Sequence, residues 1–145
     1  MPPLGQQVTT LLIVVATAMV QLAAQLMLDR VTEGMPRARV GRFAGFHKMA
    51  FTITAVVILM CGHLGQVTIW ALRYYEWGEL GGFLNSFYFS LASFTTVGAS
   101  ELELSHAHRL AGAVEAALGM LMFGWSTALL IQVIQKADRQ HGTGM

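Results

Sequence analysis

The sequence has little charge, little proline and almost no cysteine. Only 12% of its 145 residues are charged. With a mean hydropathy of +0.55, that places it among membrane proteins rather than soluble domains. The single cysteine, Cys61, excludes an intrachain disulfide; it falls inside an apolar segment, where a buried thiol is expected rather than a reactive one. No basic patch is interleaved with aromatics, so no nucleic-acid partner is expected. No helix carries Arg at every third position, which excludes a conventional voltage sensor. The histidines His47, His63, His106, His108 and His141 have no nucleophile or carboxylate at a recognisable spacing, so no enzyme is expected. No repeat or low-complexity tract is visible.

What the chain does have is long apolar runs. Val8 to Leu28 carries no charge and is long enough to cross roughly 30 Å of hydrocarbon. No Lys or Arg precedes it, so it reads as a retained helix rather than a signal peptide. Thr17, Gln21 and Gln25 fall at i, i+4, i+8; amides facing lipid are costly, so that face should pack on protein. Met49 to Tyr75 and Leu110 to Gln135 are the other two spans. Between the first two lie Arg30, Arg37, Arg39, Arg42 and Lys48, five of the nine basic residues. By the positive-inside rule this loop is cytoplasmic. Lys136 and Arg139 then place the C-terminus in the cytoplasm as well, with the N-terminus outside. His63 and Gln66 are polar in the second span, and His63 is expected to bond the first helix near Thr17 to Gln21. Glu115, near the outer end of the third, should pair behind the loop that precedes it or with Arg109 rather than face lipid.

Between the second and third spans, Phe87-Tyr88-Phe89-Ser90-Leu91-Ala92-Ser93-Phe94 gives way abruptly to Thr95-Thr96-Val97-Gly98. An apolar aromatic run too short to span, then a Gly/Thr segment, has the layout of a re-entrant pore loop: a short helix over Phe83 to Thr95, then an extended strand whose carbonyls face an ion. With Arg109 and Glu115-Ala116-Ala117-Leu118-Gly119 at the following spacing, the stretch resembles the pore module of the potassium channel family, over roughly the last two thirds of the chain. It looks like the two-helix pore type with an extra N-terminal helix. The resemblance implies an all-α membrane protein: three transmembrane helices, a re-entrant pore helix and a selectivity-filter loop, assembled as a homotetramer in the bilayer of the plasma membrane. The organisation is then residues 1–48, first helix and basic cytoplasmic loop; 49–136, pore module; 137–145, cytoplasmic tail.

The same resemblance assigns roles. Thr96, Val97, Gly98, Ala99 and Ser100 occupy the filter, with the permeant monovalent cation (potassium, or sodium) held at Thr96, Val97 and Gly98, and no other metal or cofactor expected. Val97 would pack outward on the pore helix. Met120, Phe123, Thr127 and Ile131 recur at i, i+3, i+7, i+11 as a cavity-lining stripe below Gly119, the implied hinge, with Phe123 the candidate gate. The family pattern continues Gly-Tyr-Gly-Asp, whereas this chain has Gly98-Ala99-Ser100-Glu101. Ala99 removes a ring that wedges the outer filter, and Ser100 puts a Cβ where a left-handed glycine is usual, at about 1 kcal/mol per subunit. Glu101 and Glu103 would ring a wide, negative outer mouth that concentrates cations. The expected function is passive potassium conduction with reduced potassium/sodium selectivity. The alternative is a non-conducting sensor or assembly protein on the same scaffold. The Glu-x-Glu-x-Ser-His-x-His run matches no closed zinc site.

Overall fold

A computed structural model of the chain describes residues 4–33, 44–98 and 101–142. They form four helices: α1 Leu4–Glu33, α2 Ala44–Trp77, α3 Phe83–Phe94 and α4 Arg109–Gly142. Three of these contain segments long and apolar enough to cross a membrane, Gln7–Glu33, Met49–Trp77 and Arg109–Lys136. The chain is a multi-pass, all-α membrane protein. The helices overrun the expected spans because charged residues such as Asp29 to Glu33 continue α1 by a turn past the apolar run, where backbone bonding costs nothing and side chains reach water. The basic residues Arg37, Arg39 and Arg42 lie outside the described residues.

The 12 residues of α3 make about 18 Å of helix, too short to span. It starts after Gly81-Gly82, where Ser86 bonds the Gly82 carbonyl through both N (3.1 Å) and Oγ (3.0 Å). It is held between α2 and α4 by one apolar cluster that includes Trp70, Tyr74, Leu80, Phe94, Leu118 and Met122. A second cluster at the other end of the bundle joins Leu28, Ala55, Ile58, Leu59, Leu129 and Val133. The N-terminal half of α1, the C-terminal end of α2 and the start of α4 therefore share one end of the molecule, and the loop bearing α3 leaves from and returns to that end. This is a re-entrant arrangement.

In hydrocarbon, apolar contact gives helices little reason to associate, and packing and polar pairs do more. The seam between α1 and the rest is accordingly polar. Gln66 Nε2 donates to Gln21 Oε1 at 2.9 Å, Gln21 Nε2 donates to Ser126 Oγ at 3.0 Å, and Ser126 Oγ lies 3.0 Å from His63 Nε2. Trp70 Nε1 donates to Thr17 (3.2 Å) and Trp125 Nε1 to Gln25 (3.1 Å). All three polar positions of α1 thus meet protein, as their spacing requires. His63 departs from expectation: its partner is Ser126 on α4, and Gln66 one turn on makes the bond to α1. The turn geometry explains it, since the His63 ring also lies against Phe94 and Phe123 in tilted contacts, at 5.7 and 4.8 Å between ring centroids, and so faces α4. Cys61 is likewise not buried but exposed on the outward side of α2.

Candidate functional site: the pore helix and its loop

The end of α3 is built by a chain reversal that uses up N–H groups and spares carbonyls. Thr95 N bonds Leu91 O (3.0 Å), Thr96 N bonds Ser93 O (2.9 Å) and Gly98 N returns to Ala92 O (3.0 Å). Among the described backbone groups none donates to the carbonyls of Thr95 to Gly98. The expected extended strand is not what these residues form. Thr95 is right-handed (φ −83°), Thr96 is left-handed (φ 61°), Val97 is not among the positive-φ residues, and Gly98 is again positive (φ 79°). In a β-strand successive carbonyls point to opposite sides. Alternating handedness instead gathers N–H groups on one side, which leaves the oxygens on the other. A β-branched residue at positive φ is an outlier, with a strain of about 1–2 kcal/mol, and Thr96 carries it beside the proposed ion path.

Val97 does not pack on its own pore helix; it is 80% exposed in the single chain. Thr96 and Gly98 are exposed too, as are Leu84 and Tyr88 on the same side of α3. One chain therefore leaves the loop at 96–98 uncovered. Ala99 and Ser100 lie outside the described residues. Glu101 and Glu103 beyond them are exposed.

The pore helix is aimed by two contacts one turn apart on α4. Glu115, fully buried, accepts from Tyr74 Oη at 2.7 Å and lies 2.5 Å from Ser90 Oγ, which is itself 2.8 Å from the Val67 carbonyl. Of the two expected pairings, the structure has the one behind the loop, to Ser90 of α3 and Tyr74 of α2, and not the one with Arg109. Four residues on, Gly119 meets Phe94, four residues beyond Ser90. A Cβ on Gly119 would lie 1.9 Å from the Phe94 carbonyl oxygen, so the glycine hydrogen points at that oxygen, a Cα–H···O contact. α4 runs unbroken through Gly119. All four residues of the stripe, Met120, Phe123, Thr127 and Ile131, are exposed, and the Phe123 ring also touches His63 and, at 5.6 Å between centroids, Phe94.

At the shared end of the bundle a latch joins the loop before α3 to the loop after the filter. The Glu79 carboxylate accepts from Ser105 N (2.9 Å), from Ser105 Oγ (2.5 Å) and from His108 Nδ1. The His108 ring stacks on Trp77, centroids 4.0 Å apart. Serine donates to the carboxylate and not to the imidazole, so this is a loop clasp and not a nucleophile with its base. Partial burial raises the Glu79 pKa, but the bonds from Ser105 and His108 outweigh it and hold the carboxyl below its ordinary value. A lowered carboxyl stabilises the clasp at pH above the ordinary carboxylate range, and that stability is lost as pH falls through the lowered value. Amide protection factors at Ser105 and His108 are expected to be high at neutral pH and to fall in acid, with Glu79→Gln low at both; equal protection at low pH would contradict the clasp.

Two long membrane helices with a short helix dipping between them, its end presenting bare carbonyls, define a pore-loop membrane protein. A family model described as "Ion channel" matches residues 49–136, and the chain belongs to this ion channel family, the two-helix potassium-channel type of pore. No curated protein matches the chain, and no solved structure does.

Proposed function

We propose that the protein is a homotetrameric channel passing monovalent cations, potassium first, through a filter formed by Thr96, Val97 and Gly98 of four copies. The observation that carries this reading is the run of carbonyls at Thr95 to Gly98 to which no described backbone N–H donates, with φ alternating in sign. A cation stripped of water needs a ring of oxygens. The negative end of the α3 dipole favours positive charge at the same place. The uncovered faces of α3 and of Val97 fit a closed ring of copies, and the exposed side of α4 at Met120, Thr127 and Ile131 fits a shared cavity. Glu101 and Glu103 supply the negative mouth. The end bearing the filter loop then faces outward, together with the N-terminus, and the C-terminus is cytoplasmic, in the plasma membrane.

Selectivity is reduced, because Ala99 and Ser100 do not support the outer sites. In a bilayer with potassium on one side and sodium on the other, the reversal potential is expected between zero and the potassium equilibrium value. A reading at the potassium value would overturn the reduced selectivity, and the absence of any current would overturn conduction. Ala99→Tyr with Ser100→Gly is expected to move the potential toward potassium; no movement would remove the structural cause assigned to it.

A further inference from the structure

The polar contacts around Glu115 form a chain of hydrogen bonds that begins and ends on α2, and the chain has one contact too many for an ionised carboxylate. Three contacts need three hydrogens: Tyr74 Oη to Glu115 Oε2 (2.7 Å), Glu115 Oε1 to Ser90 Oγ (2.5 Å), and Ser90 Oγ to Val67 O (2.8 Å). Tyr74 and Ser90 hold one hydroxyl hydrogen each, and the Val67 carbonyl holds none. If Ser90 donates to Val67, two bare oxygens face each other across its contact with Glu115. If Ser90 donates to Glu115, the same clash moves to the Val67 carbonyl. Every contact is satisfied only when the carboxyl brings the third hydrogen.

We infer that Glu115 is a neutral carboxylic acid that donates to Ser90, and that this proton positions the pore helix. The relay runs from Tyr74 on α2 to Glu115 on α4, to Ser90 on α3, and back to Val67 on α2, two turns below Tyr74. All three side chains are fully buried or nearly so, in a region where a polar group left unpaired is expensive. Among the described residues no counter-charge bonds the carboxyl. From α2, Tyr74 faces the carboxyl, and the neighbouring Arg73 is committed to Glu76 at 2.8 Å and to the Trp77 ring. α3 offers Ser90 alone, and its Asp, Glu, Lys and Arg count is nil. The ionisable groups of α1, Asp29, Arg30 and Glu33, lie at the far end of the bundle. The α3 contact, Ser90, lies in the C-terminal half of that helix, toward the negative end of its dipole, which disfavours a carboxylate.

Glu115 is a positioning residue: through Ser90 it holds α3 in the register that Gly119 fixes at Phe94. The state of the carboxyl can be read without any conduction, so this inference and the channel reading fail separately. Infrared spectra of the full chain in lipid vesicles at neutral pH are expected to contain the C=O band of a buried protonated carboxyl. Tyr74→Phe removes the donor to that carbonyl and shifts the band to higher frequency. Glu115→Gln keeps one donor and one acceptor, so it abolishes the band while keeping the thermal midpoint; Glu115→Ala lowers the midpoint. A wild-type spectrum with no such band, a band that Tyr74→Phe leaves in place, or a Glu115→Gln midpoint as low as that of Glu115→Ala overturns the inference.

Discussion

Gly119→Ala is expected to abolish conduction and to lower the melting midpoint of the assembled protein. The added methyl would sit 1.9 Å from the Phe94 carbonyl oxygen and 2.8 Å from its carbon. A side chain in the way could rotate; a backbone carbonyl at the end of a helix cannot. The whole of α3, or α4, has to move. Overpacking costs about 1–3 kcal/mol where side chains can adjust, and here the upper end applies to each copy. Because Phe94 immediately precedes Thr95, the displacement falls on the filter first. Size-exclusion chromatography and thermal melting in detergent, with flux in vesicles, measure it. Wild-type flux together with a wild-type midpoint would show that the approach of α3 to α4 is looser than described.

Gly98→Ala is expected to remove conduction by a different route and to leave assembly intact. Nothing lies within 4 Å of a Cβ at Gly98, but its φ is +79°. The cost is conformational, about 1–2 kcal/mol. The segment already carries one strained residue, Thr96. A second relaxes most cheaply by turning the peptide, which takes a carbonyl out of the line and returns an N–H to it. The two glycines therefore separate by experiment: Gly119→Ala lowers the midpoint and flux together, whereas Gly98→Ala lowers flux alone. A Gly98→Ala protein that conducts like wild type would show that the alternation of φ is not what presents the oxygens.

The parts legible in the sequence were those carried by composition and local spacing. Three apolar runs gave three spans, and the aromatic run ending in Thr-Thr-Val-Gly gave α3 to within a residue. The i, i+4, i+8 polar face of α1 met protein at each of Thr17, Gln21 and Gln25. Pairings between residues far apart in the chain were not legible. Tyr74 and Glu115 are 41 positions apart, and no spacing rule ties a tyrosine at the end of one helix to a glutamate in another. His63 could be given a depth but not a side, and Ser126 carries no signal in a helix of small and apolar residues. Glu79 and Ser105 looked like unrelated loop residues, because they meet only in the folded chain, where Trp77 also stacks on His108. Helix ends were misplaced where charged residues extend a helix beyond the membrane, since hydropathy marks the lipid boundary and not the last hydrogen bond.

The proposed conduction requires Thr96, Val97 and Gly98 to present oxygens to a permeating cation. Thallium entry into sealed vesicles bearing the purified wild-type protein tests it most directly, with the Gly98→Ala protein reconstituted at the same density alongside. The prediction is rapid entry with wild type and background entry with Gly98→Ala. Background entry with well-assembled wild-type protein, or equal entry with both, would contradict it.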